Sequence, residues 1–385
     1  MDIPFTRPTL PPYALVNKEV EAFYATGMIT NGPVVRQLEA EIQDTLRVDN
    51  AVAVSCCTSG LMVTLKCSGL CGRVVLPSFT FFATVHAVVW NGLEPVFIDI
   101  DPDTWNISLE ALETALEEDE AISAVLPVHV FGNPCDVDRL ENLARGHDVA
   151  VVYDSAHAMG ARVGDRFVGR FGDAEVFSLS PTKIVVAGEG GIVTTSDDRM
   201  ARQLRASRDY GNTGDYNPAF IGLNARMSEF HAALATASFR MLEKNVTKRN
   251  AIADRYVEGL SSLPGITQQA IWEGNRSTFK DFTVRIDEAK FGMSRDALSW
   301  HLARNGIDSR KYYFPPVHQT KAYWEKWGRH CDEYLPETNR LSKQALSLPI
   351  WSHIGLDLVD RVVENLHGAY ESAEEIKNEY LKENS

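Results

Sequence analysis

Between residues 50 and 154 the sequence alternates five short apolar runs with four stretches of helical periodicity. The runs are "NAVAVS", "GRVVLPS", "EPVFIDID", "ISAVLPVHVFG" and "DVAVVYDSAH". The stretches between them are "TSGLMVTLKCSG", "FTFFATVHAVVWNG", "SLEALETALEE" and "DVDRLENLARGH". Near-continuous apolar runs, rather than alternating ones, mark strands buried on both faces of a mostly parallel sheet. The expected class is therefore α/β, with helices on both sides of that sheet. In such folds ligands gather at the carboxyl ends of the strands. The polar residues just after each run then become informative: Ser55 to Thr58, Ser78 to Thr80, His129, Asp154 and Ser178.

The flanks differ from this core. A proline-rich arm and a short helix ending near Gly27 precede the helix "GPVVRQLEAEIQDTL". After "EGGIVTTSD" long helical patterns take over, the longest being "MSEFHAALATASFRMLEKNVTKRNAIADRYVEGL". A second mixed α/β pattern follows from about residue 260, with "KDFTVRI" as a strand and a charged terminal helix. We expect two domains, residues 1–250 with the N-terminal arm and a smaller α/β unit at 251–385. A formal net charge of −14 disfavours binding to nucleic acid or an anionic membrane surface. The absence of a basic-then-apolar start, of any membrane-length apolar run and of regular cysteine spacing predicts a cytoplasmic protein with reduced thiols. Cys67 and Cys71 lack a matched partner pair, so no metal site is expected and buried, inert thiols are.

Two residues raise a chemical question. Asp154 ends the run "VAVVYD", where a carboxylate either caps the next helix or aims at a cofactor. Lys183 follows the turn Ser180-Pro181-Thr182 and precedes an apolar stretch and the corner "GEGG". It is either a solvated turn lysine or an amine whose pKa is lowered by apolar surroundings, and so nucleophilic. A lysine that forms a Schiff base, paired with a carboxylate for a pyridinium nitrogen, is the signature of pyridoxal phosphate sites. Such a site also needs a phosphate cradle. The strand-to-helix junction "VAVSCCTSGL" offers backbone N–H groups with the hydroxyls of Thr58 and Ser59, and Ser178 lies within reach. Phe79, Phe81 and Phe82 follow the second run, either as core or as an aromatic wall.

The chain resembles the DegT/StrS nucleotide-sugar aminotransferases, fold type I pyridoxal phosphate enzymes. The resemblance is carried by "NGPVVRQLEAEI", "AVAVSCCTSGL", "LPSFTFFATVHAVVWNGLEPVFIDIDPDTWNI", "PVHVFGNPCDVD", "VVYDSAHAMGA", "FSLSPTKIVVAGEGGIVTT", "IGLNARMSEFHAA" and "YYFPPVHQTKAY". It implies a large domain built on a seven-stranded sheet and a smaller C-terminal domain. It implies that Lys183 is the Schiff-base lysine, Asp154 the pyridine-nitrogen partner and Phe81 the stacking aromatic. Thr58, Ser59 and Ser178 match phosphate-binding positions. Asn224 matches an asparagine that reaches the neighbouring subunit's phosphate, which implies a homodimer with active sites at the interface. Tyr313 and His318 fall in a segment near the sugar.

Two positions depart from the family pattern. Cys56-Cys57-Thr58 stands where Ser-Gly-Thr is usual, and His157 replaces a glutamine that meets the cofactor's ring oxygen. The implied activity is transamination of a nucleotide-linked keto-sugar, a 4-keto-6-deoxyhexose, with an amino-acid donor, glutamate. A keto-cyclitol aminotransferase shares every catalytic position. A pyridoxal-phosphate sugar dehydratase is the reading from another reaction class, but its family relatives carry histidine in place of the lysine.

Overall fold

The computed structural model describes residues 2–384. Its strands are β1 (Asn50–Val54), β2 (Arg73–Pro77), β3 (Glu94–Ile98), β4 (Ile122–Val125), β5 (Ala150–Asp154), the short hairpin β6 (Arg162–Val163) and β7 (Arg166–Phe167), then β8 (Ala174–Ser178) and β9 (Gly191–Thr195). Seven of these form one sheet in the order β1-β9-β8-β5-β4-β2-β3. The pairs β2–β3, β2–β4, β4–β5 and β5–β8 are parallel. β9 runs antiparallel to both β1 and β8. The result is a mixed α/β architecture, a mostly parallel seven-stranded sheet between helices followed by a smaller C-terminal unit.

Strand residues alternate between two apolar layers, as the two-residue side-chain period requires. Ala51, Ala53, Val75, Tyr153 and Phe177 face one layer, with α2 (Pro33–Leu46) and α8 (Glu229–Phe239). Val52, Val54, Leu76, Val152 and Val176 face the other, with α3 (Cys57–Cys67), α4 (Phe82–Trp90) and α7 (Asp198–Ser207). α5 (Leu109–Glu118) and α6 (Val137–Gly146) complete the first layer. α1 (Tyr13–Tyr24) reaches it through Phe23.

The C-terminal unit is an antiparallel sheet, β10 (Ile266–Gln268), β11 (Phe282–Ile286) and β12 (Ala345–Leu348), backed by helices Arg295–Arg304 and Leu356–Glu371. The seam between the two cores lies within α9 (Leu242–Leu260): Val246 packs with the large sheet, whereas Ile252 and Tyr256 pack with the small one. Ile3 also belongs to the small core, bridged to Ile307.

Three local expectations change. The apolar run "ISAVLPVHVFG" is a strand only over its first four residues. Pro127 has no N–H to continue the ladder, and a single turn of 3₁₀ helix follows at Val130–Gly132. The long pattern from 227 to 260 is two helices, α8 and α9, parted at Arg240 and Met241. Arg240 is drawn sideways to Glu19 and Glu41, with N–O distances of 2.7 and 2.6 Å. Cys71 is exposed and Cys67 only partly buried, its Sγ 3.1 Å from the Ser207 hydroxyl. Their helix ends at Cys67, so the two thiols do not share a buried face.

Candidate active site

β1, β2, β5 and β8 deliver their carboxyl-end residues to one cavity of about 350 Å³. It brings together Thr58, Phe81, Asp154, His157, Ser178, Lys183 and Tyr313.

The junction from β1 into α3 is tight. Cys56 is the N-cap, its sulfur accepting from the Ser59 amide, and the Ser59 hydroxyl returns a contact to the Cys56 amide. The Ser59 amide is taken by this cap and the Gly60 amide by the Cys56 carbonyl, which leaves the Cys57 and Thr58 amides of the first turn for a ligand, with the helix dipole behind them. Gly191 of β9 makes this packing possible, since a Cβ there would sit 2.8 Å from the Cys56 carbonyl carbon and the Cys57 nitrogen. Gly60 does the same beneath the helix, where a Cβ would meet Val176 at 2.8 Å.

Lys183 is placed by a folded loop. Its N–H donates to the Ser180 carbonyl, and the Ala187 and Leu179 amides close back onto Leu179 and Gly190. Gly188, at φ +83°, makes the corner that returns the chain into β9. Ile184 to Ala187 are buried, so the lysine is anchored in the core while its amine opens into the cavity. This enclosure pushes Lys183 down to about 7. The Lys280 ammonium adds to the fall, and the Asp281 and Asp154 carboxylates oppose it.

Asp154 is buried at the end of β5. One carboxylate oxygen accepts from the Thr84 hydroxyl at 2.7 Å, the other from the Ala156 amide at 3.0 Å. Burial raises its pKa, and these two hydrogen bonds act against that rise. His157 is held well below the usual histidine range, chiefly by burial and then by Lys183 and Lys280. Its Nδ1 is buried and has no partner.

Three expected residues are not in the cavity. Ser59 spends its hydroxyl on the cap, within hydrogen-bonding distance of Ser55 Oγ and the Cys56 carbonyl. His318 is fully buried with both ring nitrogens engaged, Nδ1 with Ser78 Oγ at 2.6 Å and Nε2 with Asp332 at 2.9 Å. It pins its own loop to the β2 end. Asn224 is exposed and touches Arg226, outside this cavity.

Sequence reasoning missed others. Lys280 and Asp281 line the cavity as a buried ion pair, and Tyr312 and Glu189 join them. The available signal was two adjacent charges opening the apolar strand "KDFTVRI". Among the described residues, no group of three or more His, Cys, Asp or Glu side chains is arranged to hold a metal. No helix there is long and apolar enough to cross a membrane.

The residues present fit pyridoxal phosphate on the structure's own terms. The Cys57 and Thr58 amides at the start of α3 suit a phosphate, the half-exposed Phe81 offers a ring face, and the orphaned Nδ1 of His157 lacks a partner that a ring oxygen would supply. A buried carboxylate and a low-pKa lysine complete the set. The fold and site define a pyridoxal-phosphate-dependent aminotransferase. The chain belongs to the DegT/DnrJ/EryC1/StrS aminotransferase family, which it matches over residues 14–367.

Its relatives include the dTDP-4-amino-4,6-dideoxy-D-glucose transaminase of Escherichia coli, 30% identical over 95% of this chain and 98% of that one. The spore coat polysaccharide biosynthesis protein SpsC of Bacillus subtilis is also 30% identical, over 93% and 95%. Among solved structures, DesI in the presence of its TDP-sugar product is 34% identical, with a TM-score of 0.91 over 98% of this chain and 95% of that one. S. venezuelae DesV is 30% identical, with a TM-score of 0.89 over 96% and 99%.

Proposed function

We propose that this enzyme transfers an amino group from an amino acid, glutamate, to a nucleotide-linked keto-sugar, a 4-keto-6-deoxyhexose. The observation that carries the reading is the meeting of the Lys183 amine and the Asp154 carboxylate in one cavity, beside the open first turn of α3. The sugar is supported by the relatives, whose names speak of an amino-dideoxyglucose and a TDP-sugar.

Bound pyridoxal phosphate supplies an electron sink conjugated to the substrate nitrogen. The remaining work belongs to the chain. The α3 amides, Thr58 and Ser178 hold the phosphate. Phe81 covers the ring. Asp154 keeps a proton on the ring nitrogen, and His157 meets the ring oxygen. Lys183 Nζ takes the proton from the donor's α-carbon and returns one to the sugar carbon that receives nitrogen. An amine that ionises at about 7 is matched to both directions of that transfer at neutral pH.

Tyr313 lies at the substrate end of the cavity, and Asn224 reaches the phosphate of a second subunit in a homodimer. The protein works in the cytoplasm, away from membranes and nucleic acid.

The test presents the pyridoxamine-loaded enzyme with a panel of nucleotide-linked keto-sugars and keto-cyclitols. The visible absorbance of the lysine-bound cofactor should return with a 4-keto-6-deoxyhexose, and an amino sugar should appear. Return only with a cyclitol, or formation of a deoxy sugar without nitrogen, would replace this reading.

A further inference from the structure

Thr84 occupies the third position of α4 and is fully buried. Its Oγ1 lies 2.7 Å from Asp154 Oδ2, 2.9 Å from Thr80 Oγ1 and 3.0 Å from the Phe81 carbonyl. A hydroxyl has one proton and two lone pairs, so it cannot serve all three as donor. The carboxylate is the strongest acceptor and the shortest contact, and takes the proton. Thr80, also buried, then donates its own hydroxyl to Thr84. The result is a directed chain, Thr80 to Thr84 to Asp154, in which each link polarises the next.

We propose that Thr84, backed by Thr80, is the positioning residue that turns the Asp154 carboxylate toward the cofactor's ring nitrogen. This rests on the reading of Asp154 given under the proposed function. The Ala156 amide fixes one carboxylate oxygen and Thr84 the other, so rotation of the group about its last bond is stopped from both sides. The chain also links two parts of the site. Phe81 is the N-cap residue of α4, and Thr84 sits one turn further on the same helix. The stacking ring and the carboxylate clamp are therefore set by one structural element, and a shift of α4 moves both.

The hydroxyl also helps to keep Asp154 ionised against its burial. The groups facing Asp154 are Lys183 from the loop after β8, His129 from the β4 end, Cys57 from α3 and Tyr313 from the C-terminal unit. None of them changes in a Thr84 variant.

The experiment compares Thr84→Val, which keeps the shape, with Thr84→Ser, which keeps the hydroxyl, each reconstituted with pyridoxal phosphate. Cofactor retention is read from the visible absorbance after dialysis at a series of pH values, alongside the glutamate half-reaction. In Thr84→Val the acid limb of both should move up by roughly one pH unit, the cost of one lost hydrogen bond to a charged group. Thr84→Ser should stay near wild type. Thr80→Val should show a smaller shift in the same direction.

A Thr84→Val protein with an unmoved acid limb would overturn the inference, even if its affinity fell uniformly. So would a Thr84→Ser protein as impaired as Thr84→Val, because packing alone would then explain the loss. If wild-type protein retains no cofactor, the proposed function itself fails, which is a separate outcome.

Discussion

Lys280 Nζ lies 2.8 and 3.0 Å from the two carboxylate oxygens of its neighbour Asp281, and the pair is buried in the wall of the cavity that holds Lys183. A buried ion pair is a poor source of stability, since apolar residues of similar volume often do as well. Its position beside a lysine of lowered pKa gives it an electrostatic task. Lys280 disfavours the charged form of Lys183 and Asp281 favours it. Removing either partner should therefore move Lys183 in opposite directions. The pH dependence of the rate at which cofactor-free protein captures pyridoxal phosphate should centre near 7 in wild type. Lys280→Met should raise that midpoint and Asp281→Asn should lower it. Shifts of the same sign would rule out this account.

The lowered pKa of Lys183 is also a statement about stability. Below about 7 the amine is charged in both the folded and unfolded chains, and the folded state carries the full cost of enclosing it. Between about 7 and the ordinary value of 10.5 it is neutral only when folded, and the cost is progressively relieved. Cofactor-free Lys183→Met should accordingly melt higher than wild type at pH 6, by on the order of a few degrees. That advantage should shrink as the pH rises toward 10. In catalysis the same variant should lose at least ~10²-fold in turnover, since the proton-transfer group is gone.

Gly191→Ala tests the phosphate cradle. The added methyl would press on the backbone of Cys56 and Cys57, which cannot swing aside as a side chain would. A loss of ~1–3 kcal/mol in stability is expected from the overpacking. Calorimetry of the cofactor-free protein and a cofactor titration should show both that loss and weaker binding.

Ser59 and Thr58 should separate. Ser59→Ala removes a capping interaction and should cost ~1 kcal/mol of stability, with cofactor affinity little changed. Thr58→Val should do the reverse, weakening pyridoxal phosphate binding while the melting temperature holds. An unfolding curve and a fluorescence titration of each variant distinguish the two.

His157→Gln should bind cofactor nearly as well as wild type, because an amide N–H can replace the imidazole donor. His157→Phe removes the donor from a site where the cofactor oxygen is already away from water, and should weaken binding by roughly tenfold, about the worth of one buried hydrogen bond. Equal affinities for the two variants would mean that His157 serves only as packing.

The parallel core and the site's central pair were legible because they rest on local signals. Five apolar runs announce strands, and Asp154 and Ser178 stand where such strands end. What stayed hidden depends on partners distant in sequence. For His318, nothing local shows that Ser78, 240 positions away, occupies its Nδ1. Lys280 and Asp281 stand at the head of "KDFTVRI", and nothing local says that the C-terminal unit folds back over Lys183. Ser59 illustrates a competition within four residues: a hydroxyl beside a helix start can bind a ligand or cap the helix, and Cys56 had already recruited it as a cap.

The seam within α9 bears on how such a chain could be recombined. The two units share a continuous helix, and the segment around Ile3 is stitched to the distal one through Ile307. A cut near residue 250 does not yield a complete C-terminal module, because it breaks α9 between Val246 and Ile252 and strips Ile3 from the core it helps to form. A chimera joined within α9 would have to carry the segment around Ile3 together with the C-terminal unit.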